Sequence, residues 1–202
     1  MMRPWLILLL GALLTLLIAP FIGESVIGDL SKSSVDGLIF WDVRVPRVLL
    51  AFLCGAALAL GGLVFQSVFR NALATPYTLG VASGSTFMVA LWINMGISVS
   101  FLGFSGISLA ALTGALLSVV LVYKLAKYSG GLATVSLLLG GVVLSFFFSS
   151  LTMFVQFFAD PGSMFKMLRW TMGSLGQADS DSVLSVLPFI VSGVILIVQY
   201  RR

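Results

Sequence analysis

The sequence of 202 residues contains no histidine and a single cysteine, Cys54. Without histidine, the usual base that activates a serine or cysteine nucleophile is missing, and so is the commonest metal ligand. One cysteine cannot form an intrachain disulfide. The sequence also has no P-loop, so any ATP used must be hydrolysed on another subunit. We therefore expect no enzyme activity, no cofactor and no metal in this chain.

Charge is scarce as well, at 9% of residues against 59% hydrophobic residues and a mean hydropathy of +1.15. This composition is typical of membrane proteins rather than soluble domains. A bilayer core requires about 20 apolar residues per helix, and six uncharged windows approach that length. They are Trp5–Ile22, Val48–Phe69, Leu79–Val99, Ile107–Tyr123, Leu132–Phe158 and Val183–Tyr200. The third and fourth windows form one uncharged stretch, which we divide near 94–105 because of its length and its Gly and Ser content. The prediction is an all-α, multi-pass transmembrane helical bundle of about six spans, forming a single domain over residues 1–202.

The signs of the charges predict the orientation, because short cytoplasmic loops are enriched in Lys and Arg. If both termini are cytoplasmic, all seven acidic residues fall in outer loops. The cytoplasmic segments then hold basic residues only, namely Arg3, Arg70, Lys124, Lys127, Arg201 and Arg202. The basic residues are too scattered to indicate nucleic-acid binding. No acidic residue lies within a span, which disfavours a proton- or sodium-coupled carrier built on a buried carboxylate.

The first window has a second interpretation, because one basic residue followed by an apolar run also describes a secretory signal peptide. The segment that ends it, Ala19-Pro20-Phe21-Ile22-Gly23, is a poor cleavage site. We favour a membrane span.

Several short motifs surround the second and third windows. They are Arg44-Val45-Pro46-Arg47, the run from Gly55 to Gly61, Gln66 followed by Asn71-Ala72-Leu73-Ala74, and Pro76-Tyr77-Thr78-Leu79-Gly80. Further along, Arg169-Trp170-Thr171-Met172-Gly173-Ser174-Leu175 adds a W-x-x-G-S-L pattern. Together they resemble the FecCD family, the ABC importer permeases for iron-siderophores, haem and vitamin B12. The departure is Ala72, where the family usually has proline.

Arg44 and Arg47 lie just before the uncharged run that starts at Val48, so we predict them at the outer N-terminal end of that helix. Cations there oppose the helix macrodipole and the positive-inside rule, so a compensating group is expected. The residues alone allow an ion pair with Asp42 and a second arginine that reaches lipid headgroups. The resemblance implies instead that both arginines meet carboxylates on an extracytoplasmic substrate-binding protein.

Two segments are candidates for a cytoplasmic gate. Thr75-Pro76 is a good helix N-cap and first-turn pair. Residues 70–76 are therefore predicted to form a turn that ends where a new helix starts, whatever their role. The resemblance places Asn71 and Leu73 of this turn at the inner mouth of the pathway. Thr134 and Val135, in a segment similar to the family's S-T-S-x-L-L-L-x-G, occupy the second pair of gate positions. The residues alone also allow a plain loop and simple helix capping.

The resemblance implies a permease subunit of a bacterial cytoplasmic (inner) membrane ABC importer. Its partners would be ABC ATPase subunits, a substrate-binding protein and a second permease copy or homologue. Family members have about ten spans, so the chain corresponds to about the first six and is expected to be a truncated or partial permease. Two other functions stay open, an ATP-independent secondary transporter or channel and an inactive membrane scaffold.

Overall fold

The computed structural model of the protein describes residues 4–23, 28–97, 99–101, 104–128, 134–176 and 178–200. Eight α-helices are found in these residues: α1 (Pro4–Ile18), α2 (Val35–Leu38), α3 (Val45–Phe69), α4 (Val81–Asn94), α5 (Gly106–Tyr128), α6 (Thr134–Phe158), α7 (Pro161–Met172) and α8 (Ser180–Gln199). Short 3-10 helices cover Ala19–Phe21 and Pro76–Leu79, and a π-helix covers Ile39–Arg44. The predicted all-α membrane fold is confirmed.

Within the described residues, four helices are long and apolar enough to cross a membrane: Val35–Phe69, Gly106–Tyr128, Thr134–Phe158 and Ser180–Gln199. Two shorter apolar helices, Leu6–Phe21 and Val81–Asn94, lie in the other two predicted windows. Each predicted window thus contains one apolar helix. The 14 residues of α4 extend only about 21 Å, less than a bilayer core of about 30 Å.

The predicted break between the third and fourth windows is confirmed. Helix α4 ends at Asn94, and α5 begins at Gly106. Between them, strands β1 (Ser100–Phe101) and β2 (Phe104–Ser105) pair antiparallel.

The second helix begins much earlier than its apolar window. Ser34 caps α2, because its hydroxyl accepts a hydrogen bond from the backbone N–H of Gly37 at 3.0 Å. The π-helix then joins α2 to α3, so the helix is continuous from Val35 to Phe69. The prediction that Arg44 and Arg47 lie at its N-terminal end is therefore wrong. They lie more than two turns inside it, where the macrodipole no longer acts on them.

The chain divides into two compact units, residues 1–59 with 175–202, and residues 60–174. In the second unit, α4 packs against α5, α6 and α7. Gly84 of α4 meets Gly114 of α5 so closely that a Cβ on Gly84 would lie 2.7 Å from the Gly114 carbonyl oxygen. One turn on, the buried Ser118 hydroxyl donates a hydrogen bond to the Leu79 carbonyl at 3.0 Å. Small residues therefore allow the backbones to approach, as in other membrane helix pairs.

Among the described residues of this unit, two apolar clusters form the core. One surrounds Met167 of α7 and includes Val89, Ala90, Ile93, Ala110 and Val155. The other contains Phe69, Ala74, Leu79 and Val122. The second cluster joins the end of α3 to the turn that follows it.

In the first unit, residues 28–41 fold onto the start of the long helix. Trp41 Nε1 donates a hydrogen bond to the Leu30 carbonyl at 3.2 Å, and Lys32 Nζ lies 5.9 Å from the centre of the Trp41 ring. Phe40 is buried between Phe21 and Trp41, with ring centres 5.0 and 5.2 Å away. An aromatic cluster therefore holds this segment against the short helix that follows α1.

Acidic residues cap the last two helices. Asp160 accepts hydrogen bonds from the backbone N–H groups of Gly162 and Ser163 at 2.9 and 3.0 Å, before α7. Asp179 accepts from the Ser182 backbone at 2.8 Å, before α8. Hydrogen bonds from Ser163 and Ser182 lower the pKa of Asp160 and of Asp179 respectively, because they favour the ionised carboxylate.

Candidate functional site

Arg44 and Arg47 lie on one face of the long helix and line the same pocket. Residues three apart on a helix are neighbours, and Pro46 between them is buried. The pocket, which we call the arginine pocket, has a volume of about 420 Å³. It is lined by Ala19, Ile22, Gly23, Ile39, Val43, Arg44, Arg47 and Val48. Two permanent positive charges in one concave site favour an anionic ligand.

Both guanidinium groups donate to backbone carbonyl groups. Arg47 uses two nitrogens: Nε donates to the Leu175 carbonyl and Nη2 to the Gly176 carbonyl, both at 3.2 Å. Arg44 Nη1 donates to the Pro20 carbonyl at 3.4 Å. Arg47 is exposed and Arg44 is half-buried. Both arginines therefore fasten neighbouring chain segments, and the Arg47 side chain also remains exposed at the surface.

The end of α3 turns sharply at Arg70, whose φ of 47° is left-handed. The Asn71 N–H donates to the Gln66 carbonyl at 3.2 Å, and the Asn71 Oδ1 accepts from the Leu73 N–H at 2.9 Å. We call residues 70–75 the Asn71 turn. Within it, Ala74 is fully buried and the Leu73 side chain is 82% exposed. Ala74 therefore anchors the turn, and Leu73, the residue before it, is exposed.

The turn continues into a short helix as the Thr75-Pro76 signal predicts. Thr75 occupies the N-cap of the 3-10 helix Pro76–Leu79. The Thr78 hydroxyl accepts from the Thr75 N–H at 3.3 Å and donates to the Thr75 carbonyl at 2.6 Å. Gly80 then adopts a left-handed conformation, with φ of 69°, and α4 starts at the next residue. Glycine is favoured here because a side chain would strain this backbone and meet Ser118 and Ser145.

Thr134 opens α6 and contacts the end of α3. Its Oγ1 donates to the Phe69 carbonyl at 3.4 Å. Val135 is 74% exposed. Residues 129–133 of the same predicted gate segment lie outside the described residues. Phe69 lies two residues before Asn71 in the sequence. The hydrogen bond therefore places the start of α6 beside the Asn71 turn.

No residue pattern indicates the backbone partners in these contacts. The carbonyl groups of Phe69, Leu175 and Gly176 leave no residue-type signal, because every residue carries one. The W-x-x-G-S-L pattern draws attention to Leu175, yet its contact with Arg47, 128 positions away, is visible only in the fold.

Known proteins resemble this chain over nearly its whole length. The family model of the FecCD transport family matches residues 5–202. The hemin transport system permease protein HmuU of Yersinia pestis is 33% identical over 96% of this chain and 62% of its own length. The vitamin B12 import system permease protein BtuC of Klebsiella pneumoniae is 36% identical over 88% of this chain and 53% of its own length. The iron(3+)-hydroxamate import system permease protein FhuG of Bacillus subtilis is 32% identical over 77% and 47%.

A solved structure shares the fold. It is described as an inward-facing conformation of a metal-chelate type ABC transporter, with a TM-score of 0.76 and 31% identity. The match covers 94% of this chain and 61% of that one. The chain thus spans between 42% and 62% of the length of these and other relatives, about half on average.

The apolar helices together with these matches define the class of the chain, a multi-pass membrane protein of the ABC permease type. The chain belongs to the FecCD transport family. Since ABC permeases are transport subunits and ATP is hydrolysed on a separate subunit, membership confirms the prediction that this chain is not an enzyme.

Proposed function

We propose that the chain forms the membrane-spanning part of an ABC importer that moves an iron-siderophore, haem or a corrinoid into the cytoplasm. The observation that carries this proposal is the match to the FecCD family over residues 5–202. The relatives named for hemin, iron(3+)-hydroxamate and vitamin B12 give the range of cargo. Hemin, iron(3+)-hydroxamate and vitamin B12 are all metal complexes with a large chelating ligand or macrocycle. The proposed cargo is a metal complex of this kind, which the permease transports as its substrate.

The arginine pocket is the proposed docking point for an extracytoplasmic substrate-binding protein. Two guanidinium groups on one helix face offer a fork geometry that suits carboxylates. The bonds of Arg47 to Leu175 and Gly176 pre-position its side chain, which lowers the entropy lost when a partner binds. An acidic side chain that enters the pocket would add charge-assisted hydrogen bonds to these existing ones.

The Asn71 turn and the start of α6 are the proposed gate. Leu73 and Val135 are the exposed apolar members, while Asn71 and Thr134 fix the backbone through side-chain hydrogen bonds. The bond from Thr134 to Phe69 links the two segments, so a movement of α6 would be transmitted to the turn. For such coupling, a structural element must have two arrangements, and both sites must shift the equilibrium between those arrangements.

The remaining partners follow from the proposed class. Two ABC ATPase subunits would supply the energy, and a second permease copy or homologue would complete the pathway. The protein would reside in the cytoplasmic, or inner, membrane of a bacterial cell. The single permease domain over residues 1–202 stays a prediction.

A chimera tests the proposal while allowing for the length difference. In the Yersinia pestis relative, the residues that align with this chain are replaced by the 202 residues of this chain. The same replacement is made in the hydroxamate and vitamin B12 relatives. Each chimera is reconstituted with its relative's ATPase and binding protein, and uptake of labelled haem, ferric hydroxamate or cobalamin is measured. We expect ATP-dependent uptake in at least one. If all three insert and bind their ATPase but none transports, the proposed function is wrong.

The chain alone supplies the control. Cargo flux through proteoliposomes that contain only these 202 residues, without ATP or an ATPase, would indicate a secondary transporter or channel. We expect no such flux.

A further inference from the structure

The last three turns of α5 carry an exposed basic and aromatic face. It consists of Val119, Val120, Tyr123, Lys124, Lys127 and Tyr128, which line a surface groove of about 760 Å³. All six side chains are exposed, and Tyr128 reaches 89% exposure. We call this surface the α5 groove. It uses none of the residues of the arginine pocket or the proposed gate.

The groove changes in chemistry along the helix. Val119 and Val120 lie toward the middle of a 23-residue membrane helix, and the lysines and tyrosines lie at its end. Lys124 and Lys127 are three residues apart and so project from the same side. Tyrosine and lysine at the end of a span are positioned for the headgroup region, while valine is positioned for acyl chains.

The positive charge of the groove lacks an acidic counterpart in the surrounding sequence. No Asp or Glu occurs between residues 43 and 159. The next acidic residue along the chain is Asp160. It follows the C-terminal end of α6, whereas the end of α5 precedes the N-terminal end of α6. The two lysines are therefore suited to pair with an anion that residues 43–159 do not supply.

We propose that the α5 groove binds an anionic phospholipid. The lysines and tyrosine hydroxyls hold the phosphate headgroup, and an acyl chain lies along Val119 and Val120. The occupant is a lipid rather than a free phosphate because the groove combines a charged end with an apolar wall on the exposed side of a helix long and apolar enough to span a membrane. Each lysine near a membrane surface favours anionic lipid by about 1 kcal/mol, or about five-fold in affinity. This inference rests on the membrane fold and is independent of the cargo.

The test is a lipid titration of the purified, delipidated 202-residue chain followed by native mass spectrometry. Dioleoyl-phosphatidylglycerol and dioleoyl-phosphatidylcholine are the two probes. We expect tighter binding of phosphatidylglycerol. Lys124→Gln with Lys127→Gln should weaken that binding by about 25-fold and leave phosphatidylcholine binding unchanged. Each single substitution should weaken phosphatidylglycerol binding about five-fold. The single variants therefore still test the proposal if the double variant folds poorly.

Two controls separate the groove from charge in general. Lys124→Arg with Lys127→Arg keeps the charges and should retain binding. Lys166→Gln with Arg169→Gln removes a matched basic pair, also three residues apart, from α7 and should have no effect. Equal affinity for the two lipids would overturn the proposal, and so would an equal loss in the α7 control. Competition by glycerol phosphate at the same concentration as the lipid would show a free-anion site and would also overturn it.

Discussion

Arg47 and Leu175, 128 positions apart, are joined by a hydrogen bond of 3.2 Å from Nε to the carbonyl oxygen. A second bond from the same guanidinium reaches Gly176. An ion pair with Asp42 was one interpretation of the arginine motif, but the bonds described for Arg47 go to backbone carbonyl groups. The proposed docking role therefore has to be separated from this structural role.

Charge reversal and charge removal achieve that separation. In a transport-competent chimera, Arg44→Glu with Arg47→Glu should weaken binding-protein affinity at low salt by tenfold or so, because attraction becomes repulsion at an interface where complementarity governs encounter. Arg47→Gln should have a smaller effect on affinity and should raise protease sensitivity near residues 173–176. Membrane insertion should be unchanged in both. Unchanged affinity of the double variant at low salt would rule out the docking role.

Thr134 provides a test of the link between α3 and α6. Thr134→Val removes the hydroxyl that donates to Phe69 and should cost about 1 kcal/mol in the free energy of unfolding, the typical net value of one hydrogen bond. Thr134→Ser keeps the hydroxyl and is the control. Unfolding in a mixed detergent series measures both. If valine and serine behave alike, the bond contributes nothing and the proposed coupling loses its support.

The sequence predicts the helices well where hydrophobicity alone decides. The break at 94–105 and the Thr75-Pro76 boundary agree with the structure, because length limits and capping act locally. Gly114 and Ser118 have the four-residue spacing of small residues that is common at membrane helix contacts, and Gly84 of α4 lies against both of them.

The start of the second helix could not be predicted in the same way. The search for uncharged windows excluded residues 35–47, which carry Asp36, Asp42 and two arginines. Charge opposes burial in lipid but does not stop a helix, and Ser34 supplies a cap ahead of it. The predicted position of Arg44 and Arg47 was wrong for this reason. Their backbone partners were also invisible, since carbonyl groups have no sequence signature.

Gly84 tests whether close backbone contact stabilises the second unit. Gly84→Ala places a Cβ 2.7 Å from the Gly114 carbonyl oxygen and 3.0 Å from the Ser118 Cβ, so α4 and α5 must separate. We expect a loss of about 1–3 kcal/mol in the free energy of unfolding, as for other overpacked sites. The matched control is Gly55→Ala in α3, where nothing lies within 4 Å. A Gly84 variant as stable as the Gly55 variant would contradict the packing argument.

Asp160 makes the start of α7 sensitive to acid. Its pKa lies below its usual value of 3.8 because Ser163 and neighbouring backbone N–H groups bind the carboxylate. A depressed pKa means that the stabilisation is complete above about pH 4 and is lost as the pH falls through the lowered value. Trp170, which packs against the Met167 cluster, can report the change in a variant that lacks the other tryptophans.

The matched variant is Asp160→Asn, since asparagine is also a good N-cap but does not titrate in this range. We expect a fluorescence transition below pH 4 in the parent and none in Asp160→Asn. A transition of the same size in both proteins would assign it to another group.

The orientation in the membrane stays a prediction and can be measured with two cysteines. Cys54 is first replaced by alanine, and a cysteine is then placed at Tyr128 or at Ser180. Both positions are exposed, at the end of α5 and the start of α8 respectively. Tyr128→Cys should react with a membrane-impermeant maleimide only from the cytoplasmic side, and Ser180→Cys only from the outer side. The reason is the distribution of charge, with lysines beside Tyr128 and acids on both sides of Ser180, combined with the enrichment of basic residues in cytoplasmic loops. An inverted topology would label both positions from the opposite sides. Labelling of both from one side would mean that the number of spans between them is even rather than odd, which would contradict the assignment of α6 as the single span that separates the two positions.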